Sequence, residues 1–190
     1  MKMELTAAQK TRLLQLARET LESHFHHKKY HSWQDDPVLS ILKSVQTGAF
    51  VTLTRTGELR GCIGMTESDD PLPAVIEEMA IAAATQDPRF GSVNAEELPV
   101  IEIEISVLTP PESIAAIDQI EIGRHGLIIV DGWQRGLLLP QVPVEWNWDR
   151  ETFLGYTCAK AGLPKNAWKN PSTQIYWFEA IVFSEHSSAD

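Results

Sequence analysis

Apolar residues recur at two periods along this chain, and the switches between them predict its elements. Leu13, Leu14, Leu16, Ala17, Leu21 and Phe25 follow helical spacing behind Thr6-Ala-Ala-Gln9, which has the form of a capping box, so a first helix is predicted from Ala7 to His26. A shorter helical pattern, Val38 to Val45, follows Pro37 and stops at Gly48. Ala49-Phe-Val-Thr-Leu-Thr54 then has strand composition, and Thr56-Gly57 reads as a turn into a second strand, Glu58 to Ile63. Asp70-Pro71 offers a cap and a first-turn proline to a helix marked by Leu72, Val75, Ile76, Met79, Ile81 and Ala83, ending before Asp87-Pro88.

The clearest strand is Val100 to Leu108, where Ile101, Ile103, Ile105 and Val107 share one face and Glu102, Glu104 and Ser106 the other. Gly126-Leu-Ile-Ile-Val130 and Gly136-Leu-Leu-Leu139, separated by Asp131-Gly132, read as a hairpin. A last helix is predicted from Asp149 to the stop at Gly162-Leu-Pro164, and a closing strand from Ile175 to Phe183. Strands joined mainly by turns, with helices before and between them, predict an α+β fold built on a mainly antiparallel sheet with flanking helices.

Composition narrows the function. Sixteen Lys and Arg against 26 Asp and Glu leave a net charge of −10, with no basic stripe, which disfavours nucleic acid as a partner. No apolar run approaches the ~20 residues that a bilayer requires, and Met1 to Ala17 lacks the features of a signal peptide, so no membrane is expected and the expected compartment is the cytoplasm. Two cysteines, Cys62 and Cys158, make neither a disulfide framework nor a thiolate zinc site.

The chemistry worth following starts at Arg60-Gly61-Cys62-Ile63-Gly64. In a regular strand Arg60 and Cys62 share a face, and a guanidinium beside a thiol favours thiolate, while Gly61 and Gly64 leave room for a ligand or for close backbone packing. A small buried structural thiol is the alternative. His125, in Gly123-Arg-His-Gly-Leu127, is the candidate base for Cys62, with a turn histidine bonded to its own backbone as the other reading. Asp87 and Arg89 either orient a substrate or form a helix-ending ion pair. Gln141 follows a strand end, and Glu104 either pairs with Arg60 or another cation or is solvated.

Trp146, Trp148 and Trp133 form either an aromatic wall for a planar ligand or packing against the last helix. His24, His27 and His31 share a face if the first helix continues that far, a spacing able to hold zinc, nickel or copper. The same run suits an exposed helix end, and no metal site is assigned. Gly155 is out of place inside a helix. There is no phosphate loop, dinucleotide fingerprint, metalloprotease helix or nucleophile elbow.

Phe50-Val-Thr-Leu53, Leu59-Arg-Gly-Cys-Ile-Gly64, Asp87-Pro-Arg-Phe90, Glu97-Leu-Pro99, Glu104-Ile-Ser-Val-Leu108, His125-Gly-Leu127, Leu139-Pro-Gln-Val142, Trp148-Asp149 and Lys160-Ala-Gly-Leu163 together resemble the AMMECR-one domain family. The resemblance implies one domain over residues 5–184 with a larger and a smaller lobe, their boundary unresolved by sequence, and a frayed tail at 185–190. It implies a cleft near the Arg-Gly-Cys-Ile-Gly segment but no established reaction and no named cofactor. By association with the AmmeMemoRadiSam system it implies Memo-like and radical S-adenosylmethionine proteins as partners. The function expected is that of a small-molecule-binding enzyme or enzyme component. Cys62 and His125 are its catalytic candidates, and Arg60, Gly61, Gly64, Asp87, Arg89, Glu104 and Gln141 its substrate-binding ones. A non-catalytic binding, adaptor or regulatory domain is the alternative.

Overall fold

The first predicted helix is α1, Ala7–His26, in the computed structural model, which describes residues 3–27 and 32–185. Its capping box is formed: the Thr6 hydroxyl accepts from the Gln9 amide, and the Gln9 side chain accepts from the Thr6 amide. The helix does not continue to join His24 and His27, because His27 leaves it in the left-handed conformation (φ 54°). His31 lies outside the described residues.

The chain divides into two units, one holding Met1–Leu108 with Ile181–Asp190 and the other Thr109–Ala180. The first is built on β1 (Ala49–Arg55), β2 (Glu58–Met65), β3 (Ile101–Leu108) and β8 (Ala180–Ser184), in the order β2-β1-β3-β8, with α2 (Leu72–Thr85) packed on β1, β2 and α1. Alternation decides which face is core. Ala49, Val51, Leu53, Ile103, Ile105 and Val107 are buried against Leu13, Leu16, Leu21, Ile76 and Met79. Each large aliphatic there contributes about 1.5–3 kcal/mol relative to exposure. The other face carries Thr52, Thr54, Cys62, Glu102, Glu104 and Ser106, all half-buried.

The second unit is the antiparallel sheet of β4 (Glu112–Ser113), β5 (Gly126–Asp131), β6 (Gln134–Leu138) and β7 (Gln174–Phe178), in the order β4-β7-β5-β6. Helix α3 (Gln141–Glu145) is short, and α4 (Arg150–Lys160) is capped by Asp149, which accepts from the Thr152 amide. Ile120, Leu127, Ile129, Phe153 and Leu154 form its core. Gly155 is explained by packing, since a Cβ there would lie 3.2 Å from the Lys165 carbonyl oxygen. No helix among the described residues is long and apolar enough to cross a membrane.

Four local expectations are corrected. Val38 to Val45 forms a turn and a single 3-10 segment, Ser40–Ser44, instead of an α-helix. Asp70 does not cap α2: Pro71 takes the N-cap position, and the free Leu72 amide bonds the Val45 carbonyl instead. The closing strand, expected as one run from Ile175 to Phe183, is two strands in different sheets, broken at Glu179, whose amide and carbonyl bond Thr109. Beyond β8, Glu185 is held by Arg18, at 2.6 and 3.0 Å, and by the Ile103 amide, while residues 186–190 of the expected tail lie outside the described residues.

Candidate functional site

Strand β2 is the edge of its sheet, and a register shift opposite Leu53 and Thr54 leaves Arg60 without a partner on β1. One extra residue of this kind kinks an edge strand and re-aims its side chain. The Arg60 guanidinium therefore meets Glu97 in a two-pronged ion pair (2.9 and 3.0 Å) and also donates to the Gly91 and Ser92 carbonyls. Glu104, one of the alternatives the sequence offered for pairing with Arg60, is not the residue it meets. The Arg60 hydrogen bonds, with Arg55 adding a third ionic contact, hold the Glu97 carboxyl down at about 2. The same pairing raises the pKa of Arg60.

Gly61 faces the helix layer: a Cβ there would stand 2.1 Å from the Ala83 carbonyl oxygen, so α2 packs directly on the strand backbone. Gly64 does similar work on the other face, where a Cβ would fall 2.3 Å from the Phe50 ring. That space is filled by the aromatic ring, not left open.

Cys62 sits half-buried between them. The Thr52 hydroxyl, directly opposite in register on β1, is 3.2 Å from the sulfur. The Cys62 amide donates to a carboxylate oxygen of Asp87 at 2.8 Å. Asp87 follows the end of α2, is buried, and accepts from Nε and Nη2 of Arg89 at 3.0 and 2.8 Å. The Arg89 hydrogen bonds, aided by the Cys62 and Arg89 amides, overcome burial and hold the Asp87 carboxyl far below the usual carboxylate range. Asp87 thus joins Cys62 and Arg89 through one carboxylate, and the guanidinium beside Cys62 is that of Arg89.

Across β1, Thr52 is in register with Cys62 on one side and Glu104 on the other, so the three form one row on the polar face. Glu104 is half-buried and has no hydrogen bond or ion pair among the described residues.

His125 and Gln141 belong to the second unit. His125 is buried against Trp177, with ring centroids 4.2 Å apart, and its Nδ1 accepts from the Glu121 amide at 3.1 Å. The neutral ring therefore carries its proton on Nε2. Burial lowers its pKa, opposed by the charge of Glu121 and assisted by that of Arg124, with smaller upward pulls from Glu179 and the Gln119 carbonyl. Gln141 is exposed at the start of α3. Trp148 stacks on Tyr156 of α4 at 4.1 Å, with Trp146 6.4 Å beyond it, while Trp133 is 91% exposed on the β5-β6 turn.

Two members of the arrangement carry no role in the sequence reading. Thr52 is a polar position in an alternating strand, and Glu97 begins Glu97-Leu-Pro99. Each gains a partner only through pairing: Thr52 by register with Cys62, Glu97 by the kink at Arg60.

A family model described as AMMECR1 matches residues 14–183. A protein of Methanothermobacter thermautotrophicus is 46% identical over 179 residues, covering 91% of this chain and 92% of its own. One from Methanocaldococcus jannaschii is 51% identical over 146 residues, 73% of each. The crystal structure of an uncharacterized protein from Pyrococcus horikoshii matches with a TM-score of 0.79 at 41% identity, over 95% of this chain and 93% of that one.

Proposed function

The chain belongs to the AMMECR1 family, and on that footing we propose that it is a small-molecule-binding enzyme or enzyme component whose site is centred on Cys62. One observation carries the reading. The Cys62 sulfur is held by the Thr52 hydroxyl and its amide by buried Asp87, on the half-buried face and not in the core. A thiol fixed at both its sulfur and its backbone, with a guanidinium alongside, has the preorganisation that nucleophilic or ligand-holding cysteines need. Arg60 serves this site as a fastener of the segment from Gly91 to Glu97. His125 and Gln141 are left out of the proposed centre. The ring Nδ1 of His125 is already an acceptor, its basicity is lowered by burial, and Gln141 is solvated.

The test compares the two cysteines of the native protein. Cys158 is fully buried in α4, and burial raises its thiol pKa, so it serves as the internal reference. Iodoacetamide labelling followed by peptide mass spectrometry is expected to modify Cys62 at least about tenfold faster than Cys158. Equal rates at both cysteines would sink the reading. A Cys62→Ser chain that still served its role in the cell would move the assignment to a non-catalytic binding or adaptor domain. Memo-like and radical S-adenosylmethionine proteins are the partners proposed from the family's associations, to be checked by co-purification of the three.

A further inference from the structure

Resting on that reading of the site, we propose that the molecule bound beside Cys62 is a small zwitterion. Its anionic end would meet Arg89 and its ammonium end Glu104.

Most charged groups around Cys62 are already satisfied. Arg60 and Arg55 share Glu97, and Glu102 has a partner of its own. Arg89 is different. Nε and Nη2 are committed to Asp87, but Nη1 has no acceptor among the described residues, and the side chain is 55% exposed. Asp87, 2% exposed at its side chain, fixes the plane of the fork and leaves that nitrogen for an anion. Because one Asp87 oxygen accepts from both the Cys62 amide and Arg89 Nη2, the guanidinium stands within about 6 Å of the Cys62 backbone, given ordinary hydrogen-bond lengths.

Glu104 supplies the opposite sign. It is a half-buried carboxylate with no partner among the described residues, in register with Thr52 and through it with Cys62. A carboxylate oxygen accepts hydrogen bonds, so the group it suits is a cation or a strong donor. Two strand spacings separate the Cys62 and Glu104 backbones by roughly 10 Å, and the Cys62 amide donates to Asp87 on the side away from β1, which puts Arg89 beyond the strand edge and the two charges about 10–14 Å apart. With a contact of about 3 Å at each end, an α-amino acid, its charges roughly 3 Å apart, is too short for this. An ω-amino acid or a dipeptide spans it and crosses Thr52 and Cys62 on the way.

The test uses the full chain with three probes at matched ionic strength: 6-aminohexanoate, whose extended charges lie roughly 8 Å apart, hexanoate and hexylammonium. Protection of Cys62 from iodoacetamide is read against Cys158. The zwitterion is expected to protect about fivefold better than either singly charged probe, the gain of one added ion pair. In Glu104→Gln that advantage over hexanoate disappears, and in Arg89→Lys it shrinks while the fold survives. Equilibrium dialysis of 6-aminohexanoate against wild type and Glu104→Gln repeats the comparison without using the thiol. Equal protection by hexanoate, or a zwitterion advantage that survives Glu104→Gln in both assays, overturns the inference. Labelling of Cys62 no faster than Cys158 strikes the proposed function instead, and dialysis still decides whether the zwitterion binds.

Discussion

Replacing Arg60 by Ala separates two roles that the sequence left tied together, activator of the thiol and fastener of a segment. Arg60 gives two charged hydrogen bonds to Glu97 and two more to the Gly91 and Ser92 carbonyls. Moving Glu97 from 4.5 to about 2 corresponds to about 3 kcal/mol at the usual conversion. Solvent screening, and the share owed to Arg55 and the Asn94 amide, bring the part due to Arg60 to about 2 kcal/mol. The sign follows from the lowered carboxyl pKa. The stabilisation is present above pH 4.5 and is lost as pH falls toward about 2, because the unfolded carboxyl takes up its proton first.

Arg60→Ala is therefore expected to lower unfolding stability by about 2 kcal/mol at neutral pH, with the gap to wild type narrowing at pH near 3. Urea unfolding should be followed by far-UV circular dichroism, since Trp33 is the one tryptophan of the first unit. Comparing the gap between variant and wild type cancels Asp87, which titrates in both. Cys62 labelling by iodoacetamide should stay within about twofold of wild type once the variant is folded. A variant as stable as wild type at neutral pH, or one whose Cys62 labelling collapses while its stability holds, refutes the fastener role and restores Arg60 to the thiol.

Gly61→Ala is expected to cost about 1–3 kcal/mol in urea unfolding, because its Cβ meets the Ala83 carbonyl oxygen at 2.1 Å and α2 must shift. A cost below about 0.5 kcal/mol would mean that the helix is not seated on the strand. Thr56→Asn is expected to stabilise by about 0.5–1 kcal/mol, since Thr56 and Gly57 both have positive φ (52° and 81°) and this hairpin turn prefers Asn-Gly; an unchanged melting temperature counts against it. For His125, a pKa lowered from 6.5 means that the unfolded chain binds the extra proton, so stability is full above 6.5 and declines as pH falls below it. His125→Asn, which removes the titration and keeps an acceptor near the Glu121 amide, should flatten the slope below about pH 6.5. The same slope in both proteins would dismiss the effect.

What the sequence made legible was local. The limits of α1 were readable because Thr6 and Gln9 mark the start and a single apolar stripe fills the body. The faces of β3 followed from strict alternation. The misses share another cause. Ile175 to Phe183 reads as one apolar run, and only pairing of Glu179 with Thr109 breaks it between two sheets. The shared face of Arg60 and Cys62 assumed a period of two, and Arg60, left over as an extra residue when β2 pairs with β1, breaks that period. Asp87 and Arg89 were legible as an ion pair two residues apart, but the Cys62 amide that shares their carboxylate is 25 residues distant, and no local pattern announces it.

The features that define the candidate site are also those that manage an exposed sheet edge. An edge strand offers unpaired amides to any other strand, and proteins blunt such edges with kinks, charges and side-chain caps. On β2 the kink is at Arg60, the charge is the same residue tied back to Glu97, and the cap is Asp87 on the Cys62 amide. Capping with a buried carboxylate has a consequence that a neutral cap would lack. The carboxylate needs a cation, and Arg89 supplies it while remaining half in solvent. A guanidinium is thereby stationed beside a thiol because the edge required an anion there. Asp87→Asn separates the two effects: the amide oxygen still accepts from the Cys62 amide, but Arg89 loses its anchor. Cys62 labelling should then persist while 6-aminohexanoate protection falls by about fivefold, the worth of one oriented ion pair. If protection survives with Arg89 untethered, the guanidinium belongs to the edge alone and has no part in binding.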